Sequence, residues 1–375
     1  MYVGKKVTRV DAYDKVTGRT KYTDDLCDRG AYVAQILHAT ISNGRVVSMD
    51  VSAAEAIPGV VRVFTCFDLK EKHYFPTAGH PWSTDESHQD VADRLVLTDR
   101  VRFYGDDIAA VVAEDEVAAA QALRAIKVEY EAYPFVLDVQ EAMKDGAPQL
   151  HEEYPNNILK HTSIRRGNYE EAIKEPGLIK VEGWYDTPTV QHCHIENFIC
   201  TAEMVGDRIK ITSSTQIPHI VRRVVGQALG LPWGKIQVIK PYIGGGFGNK
   251  QDVLYEPLCA WLCTQLGGHL IKIDIPREDT FVSNRVRHAI RSHIISWVRP
   301  DGTYAARKLE AFSDQGAYAS HGHSIAAKGM GCFPQLYPCD NVECDAYTVF
   351  TNKPVAGAMR GYGIPQAMWA VECHT

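Results

Sequence analysis

The sequence lacks the patterns that mark several common classes of protein. It contains no run of about 18 apolar residues, the length needed to cross a membrane, and its first residues lack the apolar core of a secretory signal. No basic cluster exceeds two adjacent residues and the net charge is −6, so nothing favours a nucleic-acid partner. We therefore predict a cytoplasmic protein that acts on neither a membrane nor a nucleic acid.

The ten cysteines form no recognised pattern either. None belongs to a Cys-x-x-Cys pair, so their spacing indicates neither a zinc site nor an iron–sulfur cluster. The Gly-x-Ser-x-Gly turn of serine hydrolases is also absent, and no cysteine stands out as a nucleophile. We predict that the cysteines are free thiols.

Length and composition predict a globular chain with several domains. The 375 residues are 45% hydrophobic and 23% charged, which is typical of about two or three globular domains. After an N-terminal segment (1–15), alternating strand and helix patterns fill residues 16–133. Proline and glycine then accumulate in residues 134–157, which we interpret as a linker, and residues 158–375 open with strands as a second domain. The chain stops within a helical pattern at 366–375, which favours a fragment or a split subunit.

One stretch, residues 243–252, combines glycine with a single large aromatic side chain. Four glycines within positions 244–248 surround Phe247, a composition that predicts positive φ angles and close approach of a large group. A predicted strand (233–240) precedes the loop and a predicted helix (253–265) follows it, which suits an anionic or polar ligand. A tight turn without a ligand is the alternative.

This loop does not match the two familiar phosphate-binding motifs. Asn249 stands where both the phosphate loop and the dinucleotide fingerprint require a glycine, and Gln251 replaces the Ser/Thr of the phosphate loop. The loop therefore matches neither motif and indicates only a general site for an anionic or polar ligand.

Residues 191–196 contain two histidines and a glutamate. On a strand, His192, His194 and Glu196 would share one face, which fits a two-histidine, one-carboxylate metal set. Ligands on a single strand converge poorly, so a hydrogen-bonded structural role is favoured over the metal.

Another constellation lies at residues 213–219, where a predicted strand meets a predicted helix. Ser214 or Thr215 is expected to cap that helix. Gln216 would then lie at the open helix start, where its amide could donate to a bound oxygen. Capping alone, without a ligand, is the alternative.

Two arginines lie in settings that fit recognition of a flat, partly anionic ligand. Arg360 is framed by glycines and is followed by Tyr362, so its guanidinium would pair with ligand oxygens while the ring stacks. Arg287 follows a predicted helix start at 276–279. A solvated arginine in a plain turn is the alternative for Arg360.

Taken together and in this order, the motifs resemble the molybdenum-binding subunit of the xanthine dehydrogenase family of molybdenum hydroxylases. The matching stretches are residues 214–216, 244–250, 287–288, 316–318 and 358–366, with residues 191–194, 248–252 and 318–323 looking most like the stand-alone bacterial subunits. Residues 15–18 and 102–106 are similar to the family's N-terminal hammerhead domain. The resemblance covers essentially the whole chain. It implies an α+β fold, with an a/b hammerhead domain at 16–133 and the first, truncated part of the molybdopterin-binding domain at 158–375.

The resemblance implies a molybdopterin cofactor with molybdenum, either as the cytosine dinucleotide or as a related pterin. Because the pterin dithiolene holds the metal in this family, the lack of a Cys/His ligand set is explained. By similarity, Gln216 would hydrogen-bond an oxo ligand of the metal, and Phe247 and Gly248 would present backbone N–H groups to its oxygen ligands. Gly246 and Arg360 would also line the cofactor. No side chain among these would ligate molybdenum directly.

The resemblance also implies a substrate side of the site. Gln251 stands where relatives that oxidise xanthine carry a glutamate that pairs with the purine; an amide still hydrogen-bonds but is not an ionised partner. Arg287 would bind the far end of the heterocycle, and Tyr362, which replaces a phenylalanine, would stack on it. Arg360 would stabilise the negative charge that develops during attack. With Gln216, Arg360 is therefore the expected catalytic contribution of this chain.

The implied reaction is hydroxylation of hypoxanthine, xanthine or a similar N-heterocycle with water as the oxygen source. Electrons would leave through 2Fe–2S clusters and FAD, on partner subunits, to NAD. The family's general-base glutamate lies beyond Thr375, so the chain is expected to be inactive without a C-terminal molybdopterin-binding half. The alternatives are a nicotinate or aldehyde hydroxylase of the same family and a noncatalytic truncated module. The pair Arg287 and Arg360 favours a purine-like ring over a plain aldehyde.

Overall fold

A computed structural model describes residues 3–27, 30–80, 83–85 and 89–375. The first two residues of the predicted N-terminal segment lie outside the described residues. No helix in the described ranges is both long and apolar enough to span a membrane.

The first part of the chain alternates strands with short helices. The elements are α1 (Ala12–Val16), β1 (Tyr32–His38), β2 (Gly44–Asp50), α2 (Ser52–Glu55), β3 (Val60–Thr65), β4 (Arg100–Val101), β5 (Asp107–Ala113), α3 (Glu116–Ala125) and β6 (Lys127–Ala132). Helix α3 begins where Asp115 accepts a hydrogen bond from the backbone N–H of Ala118 at 2.8 Å. Its alanine-rich face packs on β5, a strand that is buried along its whole length.

The second part is richer in strands. Its elements are α4 (Val139–Ala142), β7 (Ile158–Arg166), α5 (Tyr169–Ala172), β8 (Ile179–Thr187), β9 (Val190–Gln191), β10 (Ile199–Val205), β11 (Arg208–Ser213), α6 (Pro218–Leu229), β12 (Ile236–Ile239), α7 (Glu256–Gln265), β13 (Ile271–Asp274), α8 (Arg277–Ser283), β14 (Val286–Arg287), β15 (Ile290–Val298), β16 (Tyr304–Gly316), α9 (Gly322–Met330), β17 (Val342–Phe350) and α10 (Ile364–His374).

A seven-stranded mixed sheet joins the two parts, in the order β12-β11-β10-β13-β1-β5-β3. Strand β11 runs parallel to β12, and β10 is antiparallel to both β11 and β13. The carboxyl ends of β11, β12 and β13 therefore lie at the same edge as the amino end of β10. Helices α6 and α7 cover the sheet and bury its apolar face. The loops that leave this edge carry most of the residues that the sequence singles out.

A five-stranded sheet, β7-β17-β16-β15-β8, forms the other large layer. Helices α9 and α10 pack on it around a core that includes Ile294, Leu309 and Phe333. The short pair β9–β14 and an isolated bridge from Val286 to Ala356 connect this layer to the loop edge of the first sheet. This connection places the 356–363 loop opposite the glycine-rich loop.

Two boundaries differ from the sequence prediction near the glycine-rich loop. The predicted strand at 233–240 begins with a short turn, and its extended part is β12. The predicted helix at 253–265 begins only at Glu256, because Val253 donates its N–H to Thr77 O at 2.9 Å instead of entering a helix. The predicted helix near the end of the chain is confirmed as α10.

Candidate functional site

The glycine-rich loop takes the backbone conformation that its composition predicts. Gly245, Phe247 and Gly248 have φ angles of +103°, +55° and +106°. A Cβ placed on Gly248 would lie 2.6 Å from the carbonyl oxygen of Ala358, so a larger residue does not fit there. The ring of Phe247 is 49% exposed, which places it on the open side of the loop.

Gln216 lies directly against this loop. Its Oε1 accepts a hydrogen bond from the N–H of Gly248 at 3.1 Å, and its own N–H donates to Lys250 O at 2.8 Å. A Cβ on Gly246 would approach that Oε1 to 2.6 Å. Within the described part of the chain, the side-chain amide N–H of Gln216 and the backbone N–H groups of Gly246 and Phe247 have no acceptor. These donors are grouped at one place.

The predicted cap of helix α6 is wrong. The residue that precedes the helix is Ile217, and no side chain caps it. Thr215 Oγ1 accepts from the N–H of Ile217 at 3.1 Å, and Ser214 bonds back to Ile199 O at 3.3 Å. The reason is Pro218 at the first helical position, which has no N–H to cap and shifts the helix start by two residues.

A second wall of the site is the 356–363 loop. The N–H of Arg360 donates to Phe247 O at 2.8 Å, and a nitrogen of Arg287 donates to Arg360 O at 2.7 Å. Another nitrogen of Arg287 donates to Gln366 Oε1 at 3.1 Å. The guanidinium of Arg360 is exposed and forms no ion pair with any described residue. Arg287 is therefore bonded to the chain, whereas the charge of Arg360 is available to a ligand.

A buried ion pair holds the glycine-rich loop from behind. Lys250 Nζ lies 2.7 Å from Glu196 Oε2, with the Lys250 side chain 0% exposed and that of Glu196 13% exposed. The same oxygen accepts from the N–H of Gly244 at 2.7 Å. Burial lowers the pKa of Lys250, and the carboxylate of Glu196 opposes that effect. The pair fixes both ends of the loop to residues 191–196.

The metal hypothesis for residues 191–196 is wrong. These residues do not lie on one strand, because β9 ends at Gln191 and β10 begins only at Ile199. His192 Nε2 bonds to Ala358 O at 2.8 Å, and His194 Nε2 bonds to the side chain of Asn249 at 3.0 Å. The favoured hydrogen-bonded role is confirmed.

A second buried ion pair ties the loop to the rest of the site. Arg285 Nε donates to Asp252 Oδ1 at 3.2 Å, and both side chains are 0% exposed. Ser320 also donates to that oxygen at 2.8 Å, and Arg285 reaches Thr77 Oγ1 at 2.9 Å. A Cβ on Gly357 would lie 2.9 Å from Asp252 Oδ2, so the glycine keeps the second wall close.

Tyr362 and Gln251 lie near each other on the remaining side. The hydroxyl of Tyr362 is 2.9 Å from His321 Nδ1, 3.1 Å from His80 Nε2 and 2.8 Å from Ser324 Oγ. Burial raises the pKa of Tyr362 to about 12, so the hydroxyl stays protonated. His321 Nε2 lies 3.4 Å from the backbone oxygen of Gln251, whose side-chain amide has no partner in the described ranges.

The structure thus brings the sequence-selected residues together through a few direct contacts. Sequence reasoning missed the residues that support them, which are Thr77, His80, Lys250 as an ion-pair partner, Arg285 and Ser324. One signal was available, because Lys250 and Asp252 place two charges beside a glycine-rich loop that the fold must anchor. Their partners are distant in sequence and carried no such signal.

The chain matches two family models that together cover most of its length. A model described as "Molybdopterin cofactor-binding domain" matches residues 150–375. A model described as "Aldehyde oxidase and xanthine dehydrogenase, a/b hammerhead domain" matches residues 17–134.

Individual relatives agree with these matches. The chain is 45% identical over 365 residues to the xanthine dehydrogenase molybdenum-binding subunit of Escherichia coli O157:H7, covering 97% of this chain but 48% of that protein. It is 32% identical over 366 residues to the nicotinate dehydrogenase large molybdopterin subunit of Eubacterium barkeri, covering 97% of this chain and 83% of that subunit. The chain therefore spans about half the length of the Escherichia coli relative and most of the Eubacterium barkeri one.

A solved structure shares the fold. Quinoline 2-oxidoreductase from Pseudomonas putida 86 superposes with a TM-score of 0.91 at 26% identity, covering 100% of this chain and 48% of that chain. The a/b hammerhead and molybdopterin-binding arrangement expected from the sequence is confirmed. The chain belongs to the molybdopterin-binding aldehyde oxidase and xanthine dehydrogenase family of molybdenum hydroxylases.

Proposed function

We propose that this chain is the N-terminal part of the molybdenum-binding subunit of a xanthine dehydrogenase-type hydroxylase. The observation that carries the proposal is the group of unbonded donors at Gln216, Gly246 and Phe247. The two backbone donors belong to a loop whose glycines leave no room for a Cβ, and Gln216 lies directly against that loop. Such a cradle fits the oxygen-rich metal centre of a molybdopterin cofactor.

When bound, the cofactor would supply oxidation of a ring carbon with oxygen taken from water. The contribution of the chain itself is to hold and orient the cofactor. Gln216 would donate its amide N–H to a cofactor oxygen, because its Oε1 is already engaged by Gly248. The N–H groups of Gly246 and Phe247 would bind neighbouring oxygens, and the cytosine dinucleotide form of the pterin stays a prediction.

On the substrate side, Arg360 is the group best suited to stabilise developing negative charge. Its guanidinium is exposed and unpaired within the described chain, while its backbone is held by Phe247 and Arg287. Arg287 would act mainly by positioning this turn, and its direct contact with the heterocycle stays a prediction. Gln251 would hydrogen-bond a ring edge, and Tyr362 would stack on the ring.

We propose hypoxanthine or xanthine as the substrate class, with nicotinate as the second candidate. The relative from Eubacterium barkeri favours nicotinate, since its name includes that substrate and the chain covers 83% of it. The unpaired guanidinium of Arg360 suits the carboxylate of nicotinate as well as the anion-forming ring of a purine. An aldehyde offers neither feature.

The whole reaction needs partners in this proposal. A C-terminal molybdopterin-binding half would supply the general base, and subunits with 2Fe–2S clusters and FAD would carry electrons to NAD. The division into residues 16–133, 134–157 and 158–375 and the cytoplasmic location remain predictions. The chain alone is expected to be inactive.

The test is to express the chain with the products of neighbouring genes and to measure molybdenum content and product formation. Hypoxanthine, xanthine, nicotinate and benzaldehyde are offered in parallel. Molybdenum in the complex with oxidation of a purine supports the first candidate, and oxidation of nicotinate alone selects the second. A complex without molybdenum would establish the noncatalytic module instead, and turnover by the loaded chain without partners would disprove its inactivity.

A matched pair of variants tests the cradle itself. Gln216→Ala should lower the molybdenum content of the complex, because it removes both the amide donor and the acceptor of the Gly248 N–H. Gln265→Ala is the control, since that side chain is exposed at the end of α7. Equal molybdenum in both variants would contradict the assigned role of Gln216.

A further inference from the structure

Next to Tyr362, two side chains of the segment between β3 and β4 come together with one side chain of α9. Ligand atoms of His80, Asp90 and His323 lie within 4.8 Å of one another. His80 Nδ1 is 2.6 Å from Asp90 Oδ1, and His323 Nε2 is 3.6 Å from the same oxygen. Within the described ranges, no other group of three histidine, cysteine or acidic side chains converges in this way.

The surroundings orient the carboxylate toward the two imidazoles. Asp90 is nearly buried, with 1% of its side chain exposed. Its other oxygen, Oδ2, accepts from the backbone N–H of His80 at 3.2 Å and lies 3.6 Å from the guanidinium of Arg223. The oxygen Oδ1 is therefore left to face the histidines, and His323 Nδ1 is buried without a partner in the described chain.

We propose that His80, Asp90 and His323 form a binding site for a divalent transition cation of the Zn²⁺ class, distinct from the molybdenum cofactor. Two imidazoles and one carboxylate with an open fourth position form a donor set that suits Zn²⁺ and Co²⁺. Mg²⁺ and Ca²⁺ prefer all-oxygen sites and are not the expected occupants. The cation would displace the proton shared by His80 Nδ1 and Asp90 Oδ1, and that proton would leave to solvent.

The position of the site gives the cation a structural consequence. His323 lies in the first turn of α9, whereas His80 and Asp90 lie on the segment between β3 and β4. A bound cation would therefore cross-link that segment to the helix. The negative charge of Asp90 offsets the positive end of the helix dipole, which opposes a cation there. With Nδ1 on the metal, His80 Nε2–H would donate to the hydroxyl of Tyr362, 3.1 Å away, and fix that ring.

The experiment uses the full chain, freed of metal by a chelator, with the exposed thiols of Cys193 and Cys373 alkylated. Zn²⁺ is titrated by calorimetry, and Co²⁺ is titrated by its visible ligand-field absorption. We expect one high-affinity site per chain and a rise in melting temperature on saturation with Zn²⁺. His323→Gln and Asp90→Asn should each weaken binding by more than about tenfold and remove the thermal shift.

His219→Gln is the matched control, because His219 is exposed on α6 and far in sequence from the cluster. His323→Gln is the decisive variant, because neither ring nitrogen of His323 forms a hydrogen bond within the described chain. The far-ultraviolet circular dichroism spectrum of this variant should therefore match that of the wild type. Wild-type affinity in both cluster variants would overturn the proposal. So would a wild-type chain that binds no Zn²⁺, or a loss of binding that His219→Gln reproduces.

Discussion

Replacing Lys250 with methionine should destabilise the chain and loosen the glycine-rich loop. The substitution keeps the volume of the side chain but removes its charge from a position that is 0% exposed. Glu196 would keep its contact with the N–H of Gly244 but lose the ammonium 2.7 Å away. The second oxygen of Glu196, Oε1, is already buried without a partner in the described chain. The carboxylate of Glu196 would therefore be a poorly solvated charge without an ion-pair partner.

The expected loss in the free energy of unfolding follows from this unpaired buried charge. Breaking a buried ion pair by removing one partner destabilises a protein by about 3–5 kcal/mol. A chain of 375 residues has an unfolding entropy of about 0.8 kcal/mol/K if it unfolds as one unit. The melting temperature of Lys250→Met should therefore fall by about 4–6 °C.

A double-mutant cycle isolates the pair from the packing of the methionine. Differential scanning calorimetry is run on Lys250→Met, Glu196→Gln and the double variant, and molybdenum content is measured in the assembled complex. Glutamine keeps an acceptor for the N–H of Gly244, so the double variant should be less destabilised than the sum of the two single variants. A shift below about 1 °C for Lys250→Met, or strictly additive changes in the cycle, would refute the reasoning.

Two further predictions concern backbone strain and pH. Gly248→Ala should cost about 1–3 kcal/mol of stability and reduce molybdenum loading, because φ is +106° and a Cβ would lie 2.6 Å from a backbone oxygen. Thermal melts and metal analysis measure the two effects. Gly234→Ala is the control and should change neither quantity, because a Cβ there meets nothing within 4 Å. Burial by itself lowers the pKa of His38, but the carboxylates of Asp107 and Asp279 raise it from 6.5 to about 9. The stability that charged His38 contributes is complete below pH 6.5 and disappears as pH rises through about 9. Urea denaturation should therefore show the largest loss of stability for His38→Gln, relative to the wild type, at low pH. A loss that does not change with pH would contradict this prediction.

The conformation of the glycine-rich loop was predictable because it depends on glycines that are adjacent in the sequence. The lack of a side chain permits positive φ values at Gly245 and Gly248, and a Cβ on Gly248 would clash with Ala358 O, so glycine is needed there. The strand before the loop could also be assigned, since its alternation reflects burial on one face. The approximate position of Gln216 at the end of β11 followed from the same alternation.

The supporting network was not predictable from local patterns. The cap of α6 was wrongly assigned because Pro218 moved the helix start, and that choice depends on a backbone bond from Gln216 to Lys250. Partners such as Glu196 and Lys250 are separated by 54 residues, and a periodic pattern contains no information on such pairs. The hydrogen bond from Arg287 to Arg360 O could likewise not be predicted, because it depends on the fold that brings the two residues together.

The seven-stranded sheet limits how the family's modules can be exchanged. Strand β1 pairs with β13 through Tyr32–Ile271, Val33–Lys272 and Ala34–Ile273, so a ladder of backbone bonds crosses the boundary between the two matched family models. A chimaera that replaced residues 17–134 with those of a relative would have to reproduce this register. Deleting them would leave β13 as an unpaired edge beside the loops that we propose to hold the cofactor, and an unpaired edge strand can pair with another chain. The hammerhead region therefore supplies three strands, β1, β5 and β3, that extend the sheet of the molybdopterin-binding region beyond β13.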